Sequence, residues 1–294
     1  MTTLSERATL SVLRIGGWTG MAVDSEVTED TAERYKADAT DAGTYTKRLI
    51  AKRFLDPVSK AGRLASQTHK LLTLPWDDNG PRILSNNGYM AYTEQMRLRR
   101  LDYMAKANTF ASNLDEYIKE AKPRLGNMFD VENYPATNEV KAKFWFDVEI
   151  KGIQEAGDFR AKLSDASVKA IVKDIERRAE DRLNNAMNDV FNRVLKVTGH
   201  MIEKLKTYEP AIGRGKGEKG SDFHSSTVSN ILELAEVLPA LNLTNDPRLV
   251  DLQQQLKTDL VAHGPDILKS DAKIRFETQR KAEKIYNKVK GFLA

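Results

Sequence analysis

A mainly α fold is what this sequence predicts: long amphipathic, coiled-coil-like helices, a small β-hairpin or sheet element and a helical carboxy-terminal tail. Three observations lead there. Apolar residues return once per helical turn from Leu163 to Tyr208, with no proline and no glycine before Gly199. Charged residues make up 30% of the 294 residues, as in helix-rich, coiled-coil-forming chains. Alternating apolar and polar residues mark two short segments, Leu10 to Val23 and Phe144 to Ile150.

Taken in order, Leu10, Val12 and Ile15 alternate with polar residues, Gly16-Gly17 interrupts, and Trp18, Met21 and Val23 resume, which predicts a β-hairpin. From Ser25 the chain turns acidic, and a hydroxyl at Ser25 or Thr28 would start a helix through Lys36. A second helix is expected from Tyr45 through Leu49, Ile50, Phe54 and Leu55, with Pro57 opening a third through Ala61, Leu64 and Leu71. Leu74 to Arg82 combines two prolines with Asp, Asn and Gly, a turn that Trp76 would anchor to the core. A long helix follows from Tyr89 to Ala121, stopping before Pro123. After a short helix from Thr137, Phe144, Phe146, Val148 and Ile150 form a strand that would join the amino-terminal one in a small sheet.

The apolar stripe of the central helix reads Val168, Ile171, Ile175, Ala179, Leu183, Met187, Val190, Val194, Val197, Met201 and Leu205. Its mean spacing of about 3.7 residues lies near an eleven-residue repeat, so a straight or slightly right-handed pairing is expected. At 1.5 Å per residue the helix is roughly 65 Å long, which calls for a partner helix from this chain or another copy. Lys169, Lys173, Asp174, Glu176, Arg177, Arg178, Glu180, Asp181 and Arg182 lie between the apolar positions, the mixed signs of a solvated coiled-coil face.

Beyond it, Ile212 to Gly220 holds four glycines with Arg214, Lys216 and Lys219, a flexible linker. Ser225 or Ser226 would cap a helix through Leu238, Asp246-Pro247 opens one through Val261, and a last helix spans Asp266 to Phe292. The resulting organisation is a mixed helical region over 1–160, the long helix over 161–211, the linker over 212–224 and a basic helical tail over 225–294.

The chain has no cysteine, which excludes disulfides, thiolate nucleophiles and cysteine-based metal sites. No signal-peptide core opens it and no window approaches a membrane span, so a cytoplasmic protein without a membrane partner is expected. The net charge of +4 is concentrated in the tail, where Lys269, Lys273, Arg275, Arg280, Lys281, Lys284, Lys288 and Lys290 outnumber Asp271, Glu277 and Glu283. Such an excess attracts phosphates or acidic partners.

Gly215-x-Gly217-x-x-Gly220 has the spacing of a dinucleotide fingerprint, but it follows a helix and no βαβ unit surrounds it. There is no P-loop, no His-Glu-x-x-His and no Gly-x-Ser-x-Gly. His69, His200, His224 and His263 are scattered, with His200 placed for burial at a helix contact. Asp77 and Asp78 lack a third carboxylate at fixed spacing, so a turn role is expected there. Arg97, Arg99 and Arg100 read as a solvated edge. No cofactor, metal ligand or catalytic residue is assigned.

Several phrases carry more together: Gly17-Trp18-Thr19-Gly20, Leu74-Pro75-Trp76 with Gly80-x-Arg82-Ile83-Leu84, Tyr134-Pro135-Ala136 before Phe144 to Val148, and Gly157-Asp158-Phe159-Arg160. From Thr9 to Tyr208 this ordering resembles an uncharacterised family of bacteriophage- and plasmid-borne proteins, some encoded beside MoxR-type AAA+ ATPases and von Willebrand A proteins. The resemblance implies a viral or mobile-element origin and an adaptor role beside an AAA+ ATPase, and it brings no catalytic residues.

The expected function is a non-enzymatic, homo-oligomeric scaffold or adaptor. Its partner-helix face would be Val168, Ile171, Ile175, Leu183, Met187, Val190, Val194, Val197, Met201 and Leu205. The alternative is a DNA-binding protein of phage replication or recombination, with nucleic acid held by Arg214, Lys216, Lys219, Lys273, Arg280, Lys281, Lys284 and Lys288.

Overall fold

A computed structural model describes residues 3–38, 40–77, 80–154, 164–209 and 223–293. The chain is mainly α with a small antiparallel sheet and a helical carboxy terminus. In order, the elements are α1 (Leu4–Arg7), β1 (Ala8–Gly16), β2 (Met21–Val23), α2 (Ser25–Tyr35), β3 (Thr46–Arg48), α3 (Lys52–Leu72), β4 (Leu74–Pro75) and β5 (Arg82–Ser85). They continue with α4 (Tyr89–Ser112), α5 (Leu114–Leu125), α6 (Thr137–Ala142), β6 (Trp145–Lys151), α7 (Asp165–Thr207), α8 (Ser225–Leu241), α9 (Pro247–Gln255), α10 (Pro265–Ser270) and α11 (Ala272–Leu293). The strand order is β4-β5-β1-β6, and β2 pairs separately with β3.

The hairpin expected at Gly16-Gly17 does not form. β1 runs antiparallel to β5, with Leu10 opposite Ile83, and β2 runs antiparallel to β3, with Ala22 opposite Lys47. The glycines answer to packing instead of to a turn: a Cβ at Gly16 would lie 1.9 Å from the Trp145 indole nitrogen, and one at Gly17 would lie 3.4 Å from the Tyr103 hydroxyl. Gly20 has the positive φ that favours glycine, and its carbonyl accepts from the Leu49 and Ile50 amides.

Helix limits also differ where a local hydrogen bond outweighs periodicity. Thr46–Arg48 is a strand, Leu49 and Ile50 form a bend, and one helix, α3, runs through Pro57. Asp24, ahead of either hydroxyl, caps α2 by accepting from the Val27 amide. The helix expected from Tyr89 to Ala121 breaks at Asn113, whose side-chain amide donates to the Thr109 carbonyl at 2.7 Å, and α5 then continues past Pro123 to Leu125. The last helix is two, because the Asp271 carboxylate accepts from the Lys273 and Ile274 amides and starts α11 afresh. His200 is exposed, contrary to the burial expected for it.

Two compact units divide the chain, one of residues 1–12, 70–92 and 149–294, the other of 13–69 and 93–148. In the second, an aromatic core gathers on Phe110, which meets Phe144 edge-on at 5.8 Å, Tyr117 at 5.5 Å and Trp18 at 6.1 Å. In the first, the core joins β1, β4 and β5 residues Leu10, Leu74 and Ile83 to the apolar faces of α7, α8, α9 and α11. Trp76 is buried there, so it anchors its turn as expected.

Candidate functional site

The 43-residue helix α7 is the element that a functional reading has to explain. Its amino terminus is set by Ser164, whose hydroxyl accepts from the Ser167 amide. The apolar stripe then has two different fates along one helix.

In the distal turns, Met187, Val190, Val194, Met201 and Leu205 are buried, joined by Ala186, Phe191 and Thr198, which the sequence stripe left out. Their partners belong to the same unit: Ile231, Leu234 and Leu238 of α8, and Ala282, Ile285 and Val289 of α11. Gly199 permits the close approach, since a Cβ there would lie 3.2 Å from the Tyr286 ring. At the far end Phe191 meets Phe292 edge-on at 5.7 Å, and the Arg248 guanidinium stands about 5 Å from both rings. Asp246 holds that guanidinium at 2.6 Å, and the bond keeps the Asp246 carboxyl below its ordinary range. For Met187, Val190, Val194, Met201 and Leu205 the partner helices come from this chain, one of the two sources that the length of the helix leaves open.

In the proximal turns the same stripe stays outside the core. Val168, Ile171, Val172 and Ile175 are half-buried, and none belongs to the buried cluster or to the apolar fringe packed on it. That fringe begins at Ala179 and Leu183 and includes Val197. Ile175 and Ala179 line a cavity of about 550 Å³, together with Leu10, Trp76 and Ile153 among the described residues. Arg182 lies over the Trp76 ring and donates to the Asp77 carboxylate, tying that turn to the helix.

Charge on these turns separates into two sets. Asp174 accepts from Arg177 and Arg178, each at 2.7 Å, and Arg177 also reaches Asp181 at 3.1 Å; the bond from Arg177 depresses the Asp174 carboxyl. Lys169, Lys173, Glu176 and Glu180 are exposed and form no ion pair among the described residues. The sequence displays this second set, but only the structure separates it from the first.

The basic candidates of α11 divide as well. Lys281 pairs with Asp259 at 3.3 Å and Lys288 pairs with Asp251, while Lys273, Arg280 and Lys284 are exposed without an ion pair among the described residues. Arg214, Lys216 and Lys219, the glycine pattern around them and Asp78 lie outside the described residues.

A buried polar contact of this unit joins the Tyr92 hydroxyl to the Ser11 hydroxyl at 2.7 Å, where burial pushes the phenol up to about 12. Near it, Arg193 donates to the Leu71 and Thr73 carbonyls and to Asp189, and Arg82 donates to the Thr73 hydroxyl and carbonyl. Together they satisfy the carbonyls at the end of α3. Among the described residues no cluster of three or more His, Asp or Glu could hold a metal ion, and no helix is long and apolar enough to cross a membrane. No protein-family model, curated protein or solved structure matches the chain.

Proposed function

We propose that this chain is a non-enzymatic scaffold or adaptor that works by helix packing, with the proximal turns of α7 as its docking surface. One observation carries the reading: a single apolar stripe whose distal part is buried in the core of its own unit and whose proximal part, Val168 to Ile175, is only half-buried and lies outside that core among the described residues. A continuous helix holds the proximal turns at fixed spacing, so a partner helix would meet a preformed surface and order little on binding. An AAA+ ATPase, implied by the sequence resemblance, is one protein that such a surface could recruit.

The test is Ile171→Glu. Placed outside the core, the charge is expected to cost less than about 1 kcal/mol of stability while abolishing association. Loss of folding by this variant would show that the stripe serves an internal core and would end the scaffold reading.

A second reading keeps nucleic acid in view because Lys273, Arg280 and Lys284 share the outward face of α11 with Phe276, which is 58% exposed. Glu277 lies on the same face, and Lys281 and Lys288 are already paired. Three phosphate contacts predict that log K falls against log salt with a slope of about −2.7 on duplex DNA. Binding indifferent to salt, or unchanged when all three are replaced by Gln, counts against it.

A further inference from the structure

We infer that the cleft beside Trp76 is a binding site for the phosphoryl group of a small soluble phosphomonoester. The site goes beyond the scaffold reading and does not depend on it.

Pro75, Trp76, Asp77, Arg82, Arg182 and Asn185 line a concavity of about 370 Å³ within the first unit. Two stretches of chain bring them together: Arg82 opens β5 just after the Pro75–Asp77 turn, and Arg182 and Asn185 stand three residues apart on α7, on neighbouring turns of one face. Each of the three nitrogen-bearing side chains keeps unengaged donors. Arg82 donates its Nε to the Thr73 hydroxyl and one Nη to the Lys70 and Thr73 carbonyls, and its other Nη has no hydrogen bond among the described residues. Arg182 uses one Nη on the Asp77 carboxylate, which leaves its Nε and second Nη unengaged among the described residues. The exposed Asn185 amide has no partner there either.

The charges around this cleft do not cancel. Arg82, Arg182 and Arg193 face two carboxylates, Asp77 and Asp189, and these are bonded to Arg182 and Arg193. Arg82 is left as a half-buried cation whose hydrogen-bond partners are all neutral oxygens. Burial, and then the Arg193 charge, push its guanidinium below the ordinary value, and the Asp189 charge offsets this only in part. Capping of α3 accounts for Nε and one Nη of Arg82. It does not account for the other Nη, nor for the free donors of Arg182 and Asn185. A cation taken out of water without a counter-charge is costly, and an anion in the cleft would relieve that cost. A tetrahedral oxyanion suits the donor set because it offers acceptors in several directions to two guanidiniums at once, whereas one guanidinium fork satisfies a planar carboxylate. The cleft is also of small-molecule size, and Pro75 with Trp76 supplies an apolar wall for the carbon body of an ester.

Isothermal titration calorimetry of the full chain at neutral pH, with ionic strength held constant by sodium chloride, tests this with inorganic phosphate, phenyl phosphate and phenol. Inorganic phosphate should bind, phenyl phosphate should bind more tightly, and phenol should not bind. Asn185→Asp, at an exposed position, places a carboxylate in the cleft and should weaken both phosphates by about tenfold or more. Arg182→Gln, which removes one guanidinium and releases the Asp77 charge, should do the same. Replacing Lys273, Arg280 and Lys284 by Gln should leave the affinity unchanged, since those cations lie on α11, and circular dichroism checks that each variant is folded. Vesicles containing phosphatidic acid distinguish a lipid headgroup from a soluble ligand. The inference is overturned by a folded wild type that binds neither phosphate, by affinity insensitive to Asn185→Asp and Arg182→Gln, or by loss of binding in the α11 triple variant. Capture on the vesicles with no response to phenyl phosphate overturns it as well.

Discussion

Truncating two isoleucines of the same unit separates the two fates of the α7 stripe. Ile231 of α8 is fully buried in the core that covers the distal turns. Ile231→Ala deletes roughly three carbons, about 2.4 kcal/mol at about 0.8 kcal/mol per buried methylene. The cavity left behind adds about 24 cal/mol per Å³ that does not relax, which brings the expected loss to about 3–4 kcal/mol. Ile171 is half-buried and outside that core, so Ile171→Ala should cost less than about 1 kcal/mol. Urea denaturation of dilute protein, followed by far-ultraviolet circular dichroism, reads the difference as a midpoint shift at constant slope. With a slope near 2 kcal/mol per molar, Ile231→Ala should lower the midpoint by about 1.5–2 M and Ile171→Ala by under about 0.5 M. Equal shifts would refute the division of the stripe, because they would mean that Ile171 already has a core around it.

Three further outcomes follow from single contacts. Since burial holds the Tyr92 phenol near pKa 12 against about 10 when unfolded, its contribution is complete below pH 10 and about 2 kcal/mol should disappear as pH rises to 12. Tyr92→Phe should cost about 1 kcal/mol at neutral pH by stranding the Ser11 hydroxyl, and melts at both pH values should show a smaller alkaline loss than in wild type. The Asp24 carboxyl is held low by its bond from Lys47 at 2.9 Å, so its support is present above the ordinary carboxylate range and fades as pH falls through the depressed value. Lys47→Met should raise the Asp24 titration seen by carbon-detected NMR and move acid unfolding to higher pH; an unmoved titration contradicts the cause. Gly16→Ala forces a methyl onto the Trp145 ring and should destabilise by about 1–3 kcal/mol, whereas the same change at Gly152, where a Cβ meets nothing within 4 Å, should be mild.

Periodicity made the helices legible because it records which face is apolar over many turns, and α7 emerges within two residues of where the stripe runs out. It could not say what covers that face. Val168 and Val194 look alike in sequence, yet one is half-buried and the other wholly buried, since α8 and α11 reach only the distal turns. Strand pairing was less legible for the same reason: Gly16-Gly17 has the composition of a turn, but the contact that demands Gly16 comes from Trp145, more than a hundred residues away. Breaks at Asn113 and Asp271 depend on the hydrogen bonds of one side chain each, which periodicity passes over. Likewise the tail displays many basic residues, and only their distance to Asp259 and Asp251 separates Lys281 and Lys288 from those left free among the described residues.

Hydrogen exchange along α7, measured by mass spectrometry across a range of protein concentrations, tests the divided stripe most directly. Amides from Met187 to Leu205 should be strongly protected at every concentration, and those from Val168 to Ala179 should exchange quickly in dilute protein and slow as concentration rises. Uniform, concentration-independent protection along the whole helix would contradict a docking role for its proximal turns.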